Sequence, residues 1–233
     1  MTETNDVELS AEERERLELV ETDSSALSAL IEDLSSASRR SRQFSARVVA
    51  LLSARDPGMV APFAAELIDA LYRPEAQTRW EILDALTSLV PVCAKEVGSA
   101  FDGAEAALFD ELSPALRLSA FRLLTTWGAT DRGRSKKVWP MLDEAIQCYH
   151  GDLEYRDMLG CLYVFASGKI TGSVAEELAG RIQFDAENGK GSYLKARSRE
   201  IYDMLSKRFK FNAPKKRARV KPASDDDEAD VVR

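Results

Sequence analysis

The sequence predicts an all-α fold, a right-handed α-solenoid of about five stacked helix pairs. Three observations carry that expectation. Five segments begin with an arginine followed by apolar residues at helical spacing, and the arginines (Arg42, Arg79, Arg117, Arg156 and Arg197) stand 37, 38, 39 and 41 residues apart. Four residues after each come Ala46, Leu83, Phe121, Gly160 and Ile201, and seven after each come Val49, Leu86, Leu124, Tyr163 and Met204. A +4/+7 spacing puts such residues on one helical face. Between the segments lie partner helices, and alternating β-branched runs that would signal strands are almost absent.

The elements follow in order. Residues 1–23 are an acidic segment whose residues 8–21 read as a helix suited to capping the first pair. The repeat body runs over 24–210. Its partner helices include VAPFAAELIDAL around Pro62 and VWPMLDEAIQCY around Pro140, each with a glutamate four residues on (Glu66, Glu144). A proline within a helix removes one backbone bond and bends it, so bent first helices are expected beside straight second ones. Turn chemistry marks the junctions at Asp56-Pro57-Gly58, Arg73-Pro74, Ser113-Pro114, Asp131-Arg132-Gly133, His150-Gly151-Asp152 and Asn188 to Gly191. Residues 211–233 are basic then acidic and poor in apolar residues, a composition that predicts a disordered tail.

A single pair of this length cannot bury its apolar face, so neighbouring pairs must stack and share one core. With its period near 38 residues and its prolines, the region 24–206 resembles the HEAT/armadillo repeats, and the resemblance implies a protein-binding scaffold or adaptor. One departure stands out. The HEAT pattern places an acid about six residues before the repeat arginine, and here only Glu111 stands there. A regular acid–arginine ladder is therefore not expected. The arginine stems should instead cover the joints between repeats, with their heads on helix ends or acids of a neighbour.

Composition narrows the function. The formal charge of -7 hides an acidic N-terminus, a mildly acidic body and a basic tail, whereas a body built to hold duplex nucleic acid is usually basic. No apolar run is long enough to span a membrane, and the N-terminus lacks the order of a secretory signal. A cytoplasmic protein is expected, or a nuclear one if the source is eukaryotic and Pro214 to Val220 acts as an import signal. Cys93, Cys148 and Cys161 are odd in number and widely spaced, so they read as buried small hydrophobes rather than a disulfide framework.

No catalytic, cofactor-binding or metal site is expected. The single histidine, His150, sits at a helix-to-turn boundary without a nucleophile beside it. Gly168-Lys169 lacks the spacing of a phosphate-binding loop. Carboxylate pairs such as Glu176-Glu177 read as solvated surface. Trp80 and Asp84, four apart, are similar to the Trp–Asp pairing of HEAT-like alkylpurine DNA glycosylases, with Arg117 or Arg122 on the next repeat. That likeness makes a base-excision enzyme a minor alternative, opposed by the acidic balance of the body.

The main reading is a non-enzymatic scaffold for another protein. Its alternative is nucleic-acid binding through Arg39, Arg40, Arg42 and Arg47 of the first repeat, where no acid stands between Asp33 and Asp56, and through Lys215, Lys216, Arg217 and Arg219 of the tail. Further basic groups are Arg132, Arg134, Lys136 and Lys137, and Lys190, Lys195, Arg197 and Arg199.

Overall fold

A computed structural model describes residues 9–211. The expected tail disorder, Lys215, Lys216, Arg217 and Arg219 thus lie outside the described residues. Among the described residues all regular structure is helical. An N-terminal helix α1 (Ala11–Thr22) precedes α2 (Ser24–Glu32) and α3 (Arg39–Arg55). The second pair is α4 (Pro57–Val60) and α5 (Ala64–Ala70) followed by α6 (Ala76–Val97). Then come α7 (Phe101–Leu108), α8 (Pro114–Gly128), α9 (Arg132–Tyr149), α10 (Tyr155–Ser167), α11 (Gly172–Asn188) and α12 (Ser192–Phe209).

Short polar side chains start α4, α8 and α9 where turn signals stood. The Ser113 hydroxyl accepts from the Leu116 N–H with Pro114 as the first helical residue, and the Asp131 carboxylate accepts from the N–H groups of Gly133 and Arg134. Asp56 alone joins α3 to α4, closing one helix and capping the next. Ser10 and Glu13 form a reciprocal capping box at the start of α1.

The second helices form one continuous row: α3 packs on α6, α6 on α8, α8 on α10 and α10 on α12. This is the HEAT/armadillo-type stacking, with α2 packed on α3, α5 on α6, α7 and α9 on α8, and α11 on α12. Helix α1 joins the open end as an extra member. Glu13 meets Arg47 and Glu21 meets Arg55, both 34 residues apart, so α1 runs parallel to α3 and in register with it. The +4 and +7 positions of the first three repeats are buried outright. Gly160, Tyr163 and Met204 are only partly buried. Tyr163 is roofed by the Arg197 guanidinium, 5.2 Å from its ring centre, and Met204 lies on α12, the last helix of the row among the described residues.

Three expectations are corrected. Pro140 lies inside the unbroken helix α9, while Pro62 sits in the 3-10 turn Ala61–Phe63 and bends its helix as anticipated. The break nearest a repeat junction is at Cys93, whose φ of -141° and ψ of 49° follow Pro91 within α6. The second helix of pair two thus runs almost directly into the first helix of pair three. The Ala94 carbonyl just after the kink accepts from the Trp127 indole N–H at 2.7 Å, and Gly98 lets that ring approach, since a Cβ there would stand 2.9 Å from Trp127 Cζ2. Finally, Cys148 is exposed on the last turn of α9; Cys93 and Cys161 are half-buried.

Candidate functional site

The repeat arginines make the ladder that the acid spacing argued against. Arg42 donates from Nε to Glu75 at 3.2 Å, bonds to it again through Nη2, and donates from Nη1 to the Ser36 carbonyl. Arg79 reaches Asp110 at 3.5 Å. Arg117 grips Glu154 through Nε at 2.9 Å and through Nη2, donates to the Asp110 carbonyl at 3.1 Å, and lies over the Tyr149 ring at 4.8 Å. Each acid precedes the next repeat's arginine, but by four, seven and two residues. That irregular offset, with Asp110 and not the exposed Glu111 taking the role, hid the ladder from a fixed-spacing search. In the fourth repeat an aromatic ring replaces the acid, Arg156 lying 4.4 Å above Tyr193, and in the fifth Arg197 covers Tyr163 while pairing with Glu200 of its own helix at 2.8 Å.

This arrangement decides the availability of the first-repeat arginines. Arg42 is half-buried in its pair, and its hydrogen bond holds the Glu75 carboxyl below its ordinary value. Arg47 stands 3.4 Å from both Glu13 and Glu81, linking α1, α3 and α6. Burial pushes the Glu81 carboxyl above its usual range despite that arginine. Arg39 and Arg40 are exposed on the first turn of α3. Two of the four can therefore meet a ligand without breaking an internal tie.

Trp80 and Asp84 do share the open face of the second-helix row. Arg122 Nη1 occupies Asp84 at 2.7 Å, and its side chain is 40% exposed against 35% for Asp84. The carboxylate is thus committed to a neighbouring helix. The other tryptophans, Trp127 and Trp139, are buried in the core. His150 is bonded to Asp185 of α11 at 2.7 Å and packs on Tyr155 at 4.9 Å, a tie between adjacent pairs. Trp139 and Arg181 make similar ties, to Glu177 and Asp143.

Two rims flank the row. The intra-pair rim carries the turns joining first to second helices. It presents Tyr72, Leu112 and Leu153 at 69%, 91% and 97% exposure, large apolar side chains left open among the described residues. They are 40 and 41 residues apart, one in each of the second, third and fourth repeats. Leu153 borders a cleft of about 610 Å³ whose lining includes Pro114, Leu118, Asp152 and Asp157 together with the Arg117–Glu154 pair. The inter-pair rim carries the junctions between repeats and holds the Arg132 to Lys137 group. Sequence reasoning missed the apolar series because each member stands alone in a polar turn; its 40-residue recurrence was the signal.

Neither a protein-family model nor a curated protein matches this chain. Solved structures do. A designed armadillo repeat protein in complex with the peptide (KR)4 superposes with a TM-score of 0.67 at 13% identity, over 83% of this chain and 86% of its own. A computationally designed armadillo repeat protein for modular peptide recognition gives 0.60 at 13%, over 82% and 86%. The archaeal HEAT-like repeats protein from Thermococcus onnurineus NA1 gives 0.54 at 14%, over 86% and 94%. At such identities the likeness shows the fold, a HEAT/armadillo-type helical array.

Proposed function

We propose that this chain is a non-enzymatic scaffold that binds another protein, taking an apolar segment with basic flanks along its intra-pair rim. The observation that carries the reading is the apolar series Tyr72, Leu112 and Leu153, repeated on one edge, with Glu111, Asp152 and Asp157 beside its second and third members. Apolar groups held in water at such exposure are stabilised when a partner covers them, and an acidic surround favours a cationic one. The fold supports the reading, since stacked repeats offer extended surfaces and commonly bind proteins. The designed neighbour holding (KR)4 is in keeping with a basic chain as ligand. In this reading residues 24–210 form the binding body, 1–23 cap its open end, and 211–233 form a charged tail.

The test is quantitative affinity capture from lysate of the source cells with the full chain, its Tyr72→Ser/Leu112→Ser/Leu153→Ser variant, and an Arg39→Gln/Arg40→Gln control. A specific partner should fall at least tenfold with the triple variant and stay within twofold with the control. Unchanged capture by the triple variant would remove the rim from the function.

A further inference from the structure

We propose that the inter-pair rim of the last three repeats binds the phosphodiester backbone of a nucleic acid. Three segments far apart in sequence meet there: residues 129–137, 166–171 and 207–211. They are stitched by specific bonds. The Lys169 N–H donates to the Ala129 carbonyl at 2.6 Å, the Thr171 N–H to Ser135 Oγ at 3.3 Å, and Arg208 Nη1 to the Ala166 carbonyl at 2.9 Å. The segments bring eight cations onto one edge: Arg132, Arg134, Lys136, Lys137, Lys169, Lys207, Arg208 and Lys210. Among the described residues none of the eight is in an ion pair, in contrast to Arg42, Arg47, Arg79, Arg117 and Arg122.

Of the acids around them, Asp131 is occupied capping α9 and Glu177 accepts from the Trp139 indole N–H, while Glu176, Glu96 and Asp102 are exposed on the first turns of α11, the last turn of α6 and the start of α7. The balance stays positive, eight cations against five acids of which two are occupied. Arg134 and Lys137 are further held over aromatic rings, 5.1 Å from Trp127 and 3.7 Å from Phe101. Beyond the rim the sequence continues with Lys215, Lys216, Arg217, Arg219 and Lys221.

The chemistry favours a polyphosphate over an acidic protein. Protein interfaces have an apolar centre, whereas nucleic-acid interfaces are polar and positively charged. None of the large exposed apolar side chains (Leu19, Tyr72, Val92, Leu112, Leu153, Val164 and Phe184) falls in the three segments. With neighbouring helices roughly 10 Å apart, the row extends about 20 Å. Over that length duplex DNA carries about a dozen negative charges. Backbone neutralisation without base readout is what such a row can do. The proposal is independent of the protein-binding reading, which concerns the opposite rim.

The experiment uses fluorescence anisotropy of the full chain with a 20-base-pair DNA duplex and a 20-nucleotide single-stranded RNA, over 50–300 mM KCl. The rim variant is Arg132→Gln/Lys136→Gln/Lys169→Gln/Lys207→Gln. The control is Arg39→Gln/Arg40→Gln/Lys190→Gln/Lys195→Gln, which removes equal charge elsewhere. All eight side chains are exposed, so both variants should melt with the wild type. On whichever probe binds more tightly, the rim variant should lose at least tenfold in affinity. If that probe is the duplex, its log–log salt slope should drop by about 3. The control should lose less than threefold. Equal losses in both variants, no loss in the rim variant, or competition by polyglutamate at matched charge would overturn the assignment, the last in favour of an acidic protein.

Discussion

Replacing Arg117 by methionine is the sharpest test of how the repeats are held together. Arg117 and Glu154 are 8% and 9% exposed, and they join α8 to the start of α10. The substitution removes both bonds to Glu154 and the bond to the Asp110 carbonyl, leaving a carboxylate buried with no cation against it. Losing one partner of a buried pair costs about 3–5 kcal/mol. Asp152 nearby is half-exposed and gives water a route in, so the lower end, about 3 kcal/mol, is expected. With an m-value of about 2 kcal/mol/M, the urea midpoint should fall by about 1.5 M at unchanged m. The double variant Arg117→Met/Glu154→Leu removes both charges and should regain most of the loss, a coupling of at least about 2 kcal/mol. If the single change costs under about 1 kcal/mol, or the two changes simply add, the pair is no more than a surface contact and the joint is held by its apolar seam alone.

Glu81 supplies a pH dependence. Burial raises its carboxyl above the ordinary value of 4.5, so over the window from there up to its folded value the native state binds the extra proton. Its contribution therefore falls as pH rises through that window. The wild type should gain stability relative to Glu81→Gln between pH 7 and pH 4.5, measured by urea unfolding; a constant difference would show that the carboxyl is not raised. Gly128→Ala should cost about 1–3 kcal/mol, because its Cβ would meet Val138 Cγ2 at 2.5 Å. Gly160→Ala, with open space around it in α10, should add about 0.5–1 kcal/mol, and thermal melts of the two should move in opposite directions. The Tyr72→Ser/Leu112→Ser/Leu153→Ser protein should melt within a few degrees of the wild type, since Leu112 and Leu153 bury almost nothing and Tyr72 is mostly exposed; a large drop in Tm would mean that they serve the fold.

The helical class, the near-38-residue period and most junctions were legible in the sequence. Their causes are local: 3.6-residue periodicity selects the buried Ala46, Leu83 and Phe121, and Ser113, Asp131 and Pro114 mark helix starts through bonds to adjacent backbone. What tertiary structure alone decided is which charges are occupied. Whether Arg42 meets Glu75 or a ligand depends on the rotation of α3 against α6, and packing sets that rotation, not spacing along either helix. The same holds for Cys148, apolar in sequence context yet on the outer side of α9. It holds as well for Lys169 and Lys207, which share an edge with Arg132 only because stacking brings successive junctions to one side. A helix's own sequence determines its apolar stripe; only its neighbours determine what its remaining faces can touch.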